Sequence, residues 1–132
     1  MTRRYWQRVG GTLVEEFLMV PRRPDVGRRL ADGLIILDGE HRRLTSADVT
    51  LDGKDVIVVQ TKASRLGMYL LGQALFSREL ISEFFNPRSI RTVALCQADD
   101  AVLRPIAERH GIDVVVDDSV PGSAANEDQL DH

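Results

Sequence analysis

The sequence predicts an α/β domain in which helices flank a mixed sheet, with the element order αβββαβ followed by a helix–strand extension. Three observations predict it. The apolar runs at 34–37, 56–61, 90–96 and 112–116 are short and rich in Val, Ile and Leu, as buried strands are. The longer stretches 66–85 and 101–110, which separate the last three runs, place their apolar residues at helical spacing. Turn signals punctuate the chain at Asp38-Gly39, Asp52-Gly53 and Asn86-Pro87. Tight turns between the early strands predict antiparallel pairing, and the helical crossovers predict parallel, right-handed connections later.

The elements follow in order. Residues 7–20 read as a first helix, with Val9, Leu13, Phe17 and Val20 at helical spacing. Pro21 and Pro24 end it and open a loop rich in arginine. A short buried strand covers 34–37, Val49-Thr50-Leu51 is a further short strand, and 56–61 is the next. Ser64 is placed to cap the following helix, whose buried stripe is Leu66, Leu70, Ala74, Ile81 and Phe84, widened by Leu71 and Leu75. A strand over 90–96, a helix over 101–110 and a last strand over 112–116 complete the pattern. Pro105 falls near the start of the last helix, where its missing N–H costs least, and Gly111 suits its exit.

Composition narrows the class. With 132 residues, 43% apolar and 5% aromatic, the chain has the size and make-up of one domain with a Leu/Val/Ile core. The single Cys96 lies in an apolar run and reads as a core residue; a lone cysteine cannot form an internal disulfide, so a cytoplasmic location is expected. No apolar run approaches the roughly 18 residues of a membrane span, and the basic N-terminus has no apolar segment behind it. The net charge of −3 conceals an asymmetry, because all 17 Lys and Arg precede residue 111. A mildly basic body over 1–118 and an acidic, disordered tail over 119–132 are therefore expected. Arg22-Arg23, Arg28-Arg29 and Arg42-Arg43 form basic pairs suited to phosphate. The three histidines are scattered and give no metal-ligand spacing. Tyr5 and Trp6 have the chemistry to stack on bases, although packing of a terminal segment is the plainer reading.

The candidate chemistry sits at strand ends. If the strand after Asp32-Gly33 pairs with the one ending in Gln60-Thr61-Lys62, then Asp32, Gln60 and Lys62 converge at one sheet edge. Gln60 and Lys62 share a face of their strand. A carboxylate, a neutral oxygen and an ammonium together suit a divalent metal and a phosphate. Each also has a plainer reading: Asp32 as a turn residue, Lys62 as a solvated lysine, Glu15 and Glu16 as exposed helix charges, and Gln73 as an exposed polar residue of the second long helix.

These residues, in this order, resemble the PD-(D/E)XK nuclease superfamily, which has a restriction-endonuclease-like αβββαβ core. The matching positions are Glu15 or Glu16 on the first helix, Asp32, and Gln60-Thr61-Lys62. The Gly11-x-x-x-Glu15 spacing is similar to that of archaeal Holliday-junction resolvases, and Gln-x-Lys to the variant in Mrr-type restriction endonucleases. The resemblance covers roughly residues 9–96. Three departures accompany it: Ala31 stands where the motif has Pro, the interval from Asp32 to Gln60 is long and needs an extended or inserted hairpin, and Gln60 replaces a carboxylate. The resemblance implies hydrolysis of DNA phosphodiester bonds with Mg²⁺ or Mn²⁺. Asp32 would be the central ligand, with the Gln60 side-chain oxygen, the Thr61 carbonyl and Glu15 or Glu16 completing the set. Lys62 would orient or deprotonate the attacking water. A homodimer, by analogy with resolvases, or a separate DNA-recognition partner is also implied. A catalytically silent nuclease fold serving nucleic-acid binding or protein interaction is the alternative. A Rossmann-like ligand domain over 90–116 is disfavoured, because Gln97-Ala98-Asp99-Asp100 supplies no Gly-rich loop.

Overall fold

A computed structural model describes residues 1–117. It is an α/β structure with a six-stranded mixed sheet and three α-helices. In chain order these are α1 (Thr2–Val9), β1 (Thr12–Val20), β2 (Arg29–Ile36), β3 (Arg43–Leu44), β4 (Asp55–Arg65), α2 (Met68–Phe84), β5 (Ser89–Ala98), α3 (Leu103–Arg109) and β6 (Ile112–Val116). A 3₁₀ turn at Ser46–Asp48 follows β3. The strands lie in the order β3-β1-β2-β4-β5-β6. β2 pairs antiparallel with both β1 and β4, whereas β4, β5 and β6 are mutually parallel, as the crossovers through α2 and α3 require.

The first helix is a correction. The helix expected over 7–20 is instead α1, a break at Gly10-Gly11, and the strand β1. Both glycines have φ near +80°, and a Cβ on Gly11 would collide with the carbonyl oxygen of Ile36. Beyond the break, Thr12-Leu13-Val14 pairs with β2 on one side, and Leu13 and Val14 with β3 on the other. Glu15 and Glu16 thus lie on the first strand, not on a helix. The strand expected at 49–51 does not form. Residues 37–54 leave β2, add the two-residue strand β3 beside β1 at the sheet edge, and return to β4, which accounts for the long interval between Asp32 and Gln60.

Two apolar layers cover the sheet. On one face α1 packs Tyr5 and Trp6 against Leu13, Ile35, Ile57, Val59, Val93 and Leu95. Trp6 donates its indole N–H to the Gly11 carbonyl at 2.7 Å and stacks on His41 with ring centroids 4.3 Å apart, so Tyr5 and Trp6 are packing residues. On the other face α2 and α3 cover two clusters. One contains Val14, Phe17, Leu34, Val58 and Ile81, and the other Leu66, Leu70, Ala74, Ala94, Cys96 and Ala107. Burial pushes the Cys96 thiol up from its ordinary pKa, as befits a core cysteine. β4 runs on to Arg65 because it keeps pairing with β5, so Ser64 lies in a strand and Gly67 takes the N-cap position. In α2 the buried residues are Leu70, Ala74, Ser77 and Ile81; Leu66 is buried ahead of the helix, and Phe84 is exposed. The expectation for an acidic tail lies outside the described residues. Among those described, no helix is long and apolar enough to cross a membrane.

An ion pair closes the far end of the sheet. The Asp55 carboxylate accepts bonds from both Arg88 Nε and Nη2 and from Ser89 Oγ. The Arg88 bonds first, then Ser89, hold its pKa down to about 2, against an ordinary 3.8. A depressed carboxylate contributes stability above its unfolded pKa and loses it as pH falls through the folded one. Asp55→Asn is therefore expected to lower the melting temperature at neutral pH. That deficit should vanish as pH drops from 3.8 toward about 2, as a thermal-melt series across pH would record.

Candidate functional site

β2 and β4 form a regular antiparallel ladder from Ile36↔Val56 to Gly33↔Val59, and there the backbone pairing stops. One step further on, side chains replace the ladder. The Asp32 backbone N–H donates to Gln60 Oε1 at 3.3 Å, while Asp32 Oδ2 accepts from the Thr61 backbone N–H at 2.8 Å and from Thr61 Oγ1 at 3.2 Å. The two strands are thus joined across a fork by a reciprocal pair of side-chain bonds. Both of these bonds to the Asp32 carboxylate fall on Oδ2, and Asp32 is an exposed residue.

Gln60 is anchored from behind. It is 4% exposed, and its Nε2 donates to Ser77 Oγ of α2 at 2.6 Å. The amide orientation follows from chemistry, since a backbone N–H can meet only the oxygen end. Ser77 is a site residue the sequence reading missed. Its signal was a hydroxyl within an apolar helical stripe, where it needs a buried partner. Lys62, two residues beyond Gln60, falls on the same face of β4 by strand alternation. It is exposed and makes no ion pair among the described residues.

The two glutamates part company. Glu15 faces α1, where Arg3 Nε and Nη2 donate to its two oxygens at 3.1 and 2.9 Å, and Arg43 approaches at 3.5 Å. The Arg3 bonds, followed by its charge and then by Arg43, hold the Glu15 carboxyl below its ordinary range. Glu16 has φ +50°, the one non-glycine with positive φ among the described residues. In register it lies across from Asp32, between the pairs Glu15↔Gly33 and Phe17↔Ala31. It is exposed and without an ion pair among the described residues. The structure thus brings Asp32, Gln60 and Thr61 into contact, sets Lys62 beside them and Glu16 opposite in register, and turns Glu15 away.

Above the fork stands the β1–β2 hairpin. Arg23 and Val26 exchange backbone bonds at 2.9 and 3.1 Å around Pro24-Asp25, which closes a tight turn. That turn holds Arg22 and Arg23 beside Arg28 and Arg29, all exposed and none in an ion pair among the described residues. Elsewhere arginines such as Arg3, Arg4, Arg88 and Arg104 are engaged by carboxylates. Among the described residues no group of three or more His, Cys, Asp or Glu is placed to hold a metal ion. No protein-family model, curated protein or solved structure matches the chain.

Proposed function

We propose that the chain is a metal-dependent, nuclease-like protein that hydrolyses DNA phosphodiester bonds on a restriction-endonuclease-like core. The observation that carries the reading is the fork, where Asp32 is bonded to Gln60 and Thr61 at the strand divergence, with Lys62 next in the strand and, above it, four arginines that make no ion pair among the described residues. The donor set fits Mg²⁺ or Mn²⁺ in the mode magnesium commonly adopts, with one or two carboxylates, retained waters and substrate phosphate rather than an all-protein cage. Asp32 would hold the ion, with the Thr61 carbonyl and Glu16 as further oxygens. When bound, the ion would supply Lewis-acid stabilisation of the phosphate oxygens. The chain's own part is positional. Thr61 fixes the Asp32 carboxylate through its N–H and hydroxyl. Gln60, held by Ser77, fixes the backbone that carries Asp32. Lys62 offers three donors to a phosphate oxygen or to the attacking water. The hairpin arginines neutralise the DNA backbone.

The test is cleavage of linear, single-stranded and branched DNA by the purified chain with Mg²⁺, Mn²⁺ or a chelator. Cutting that depends on the metal supports the reading. A folded protein that cuts nothing and binds no metal leaves the silent binding module, which Gln60 in place of a carboxylate favours. The glutamates give a sharper comparison. Glu16→Gln is expected to slow cleavage at least about tenfold, as loss of a charge near transferring phosphate does. Glu15→Gln is expected to leave the rate unchanged and to cost under about 1 kcal/mol of stability in a denaturant titration, since its pairs are largely solvent-exposed.

A further inference from the structure

We propose that the flank of α2 bearing Tyr69, Gln73 and Phe76 is a base-stacking wall that makes single-stranded DNA the preferred substrate class of the fork. The inference rests on the reading of the fork as a nucleic-acid site. Tyr69 is 73% exposed and Phe76 68% exposed, an unusual pair of large rings to leave in water. Their position on the helix is fixed by its packing. Leu70, Ala74, Ser77 and Ile81 point into the sheet, and Leu71 and Leu75 pack in the cluster shared with α3, with Arg78 donating to the His110 carbonyl on the same side. The opposite flank is therefore Tyr69, Gln73, Phe76 and Leu80, spaced four, three and four residues apart. Leu80 packs in the cluster with Val14, Leu34 and Val58, so this flank faces β1 and β2 and the divergent end of the sheet.

The Gln60–Ser77 bond sets the level. β4 runs from Gln60 toward the N-terminus of α2, and Gln73 lies one turn in that direction from Ser77. Gln73 is thus level with Lys62, with Tyr69 one turn beyond. A strand entering between this flank and the arginine hairpin would meet aromatic rings on one side and guanidinium groups on the other. Tyr69 and Phe76 stand about 10 Å apart along the helix axis, far enough to act as two platforms. Exposed rings together with cations that make no ion pair among the described residues are the combination that binds unpaired bases and their phosphates. A protein partner or a second copy of this chain would have to bury those cations. A duplex offers its phosphates but keeps its base faces stacked.

The experiment is fluorescence anisotropy of the full chain with labelled oligothymidylate and with a blunt duplex of equal length, in a chelator so that neither is cut. The Tyr69→Ala/Phe76→Ala double variant is expected to weaken oligothymidylate binding about tenfold or more per ring and to change duplex binding less than about twofold. Tyr69→Phe, which keeps the ring, should bind as the wild type does. Equal losses on both DNAs, no loss on either, or a double variant whose main change is a smaller sedimentation coefficient would overturn the proposal. The two readings separate cleanly. Ring-dependent single-strand binding with no cleavage of any DNA sinks the nuclease and keeps the stacking wall. Metal-dependent cleavage with ring-independent binding does the reverse.

Discussion

Lys62→Ala is expected to abolish metal-dependent cleavage while the melting temperature stays at the wild-type value. The two halves of this expectation have separate causes. Lys62 is exposed and carries no ion pair among the described residues, so its removal leaves no unsatisfied group and no cavity. Surface changes of that kind stay within about 0.5 kcal/mol. Lys62 lies one alternation beyond Gln60 on its strand, and its neighbour Thr61 fixes the Asp32 carboxylate with two bonds. Loss of a positioned acid, base or charge stabiliser in phosphoryl chemistry costs about 10²–10⁴ in rate. Asp32→Asn makes the matching test on the carboxylate. The asparagine oxygen can still accept from Thr61 N–H and Oγ1, so the fork should hold while the charge is lost. Cleavage in single-turnover assays should fall with both variants, with thermal melts unchanged. Cleavage that survives Lys62→Ala would remove the ammonium from the mechanism and shift weight to the silent module.

The residues at this fork could be read from the sequence because they belong to strands that behave as isolated patterns. Val56-Ile57-Val58-Val59 and Val93-Ala94-Leu95-Cys96 are apolar throughout, as strands buried on both faces are, and turns or helices bound the strands that carry them. The first strand could not be read so, and the physical reason is Glu16. Its positive φ interrupts the alternation, so Val14 and Phe17 both enter the cluster beneath α2, while Leu13 packs beneath α1 on the other face. Leu13 and Phe17 are four residues apart, which imitates one side of a helix although they lie on opposite faces of the sheet. The clue that outweighs that spacing is Gly10-Gly11, whose backbone only a break could use. The same irregularity places one glutamate on the Arg3 side and the other opposite Asp32. The separation of the two acids was therefore set by the Arg3 and Arg43 contacts of Glu15 and by a backbone feature at Glu16 that no periodicity encodes. In α2 the missing information was tertiary: Ser77 is buried because Gln60 needs a partner there, and Phe84 is exposed although its spacing fits the stripe.

Gln60 carries the second large expected effect, this time on stability and on its linkage to metal. Gln60→Ala would leave the Asp32 N–H and Ser77 hydroxyl without their partner and open a void behind the fork. The cost expected in a denaturant titration is about 2–4 kcal/mol. Gln60→Glu asks a subtler question. Its shape is the same, and both neighbours can serve a carboxylate, because the Asp32 N–H donates and the Ser77 hydroxyl can turn to donate. What changes is charge, since a second carboxylate is buried beside Asp32. Like charge and desolvation both disfavour ionisation, so the folded-state pKa of the new group should lie above its unfolded value. Its stability deficit should then be small in acid and grow as pH rises through the unfolded carboxylate range, reaching its full size above the folded pKa. A divalent ion on the Asp32 oxygens would offset that repulsion, and stabilisation by a bound ligand grows with its concentration over its dissociation constant. The expected result is a melting temperature for Gln60→Glu that rises with Mg²⁺ or Mn²⁺ more steeply than the wild-type value, and no longer does so once Asp32→Asn is added. A deficit indifferent to both ions would mean that the fork holds no metal, and that the bond from Gln60 to Ser77 keeps two strands apart for binding rather than for hydrolysis.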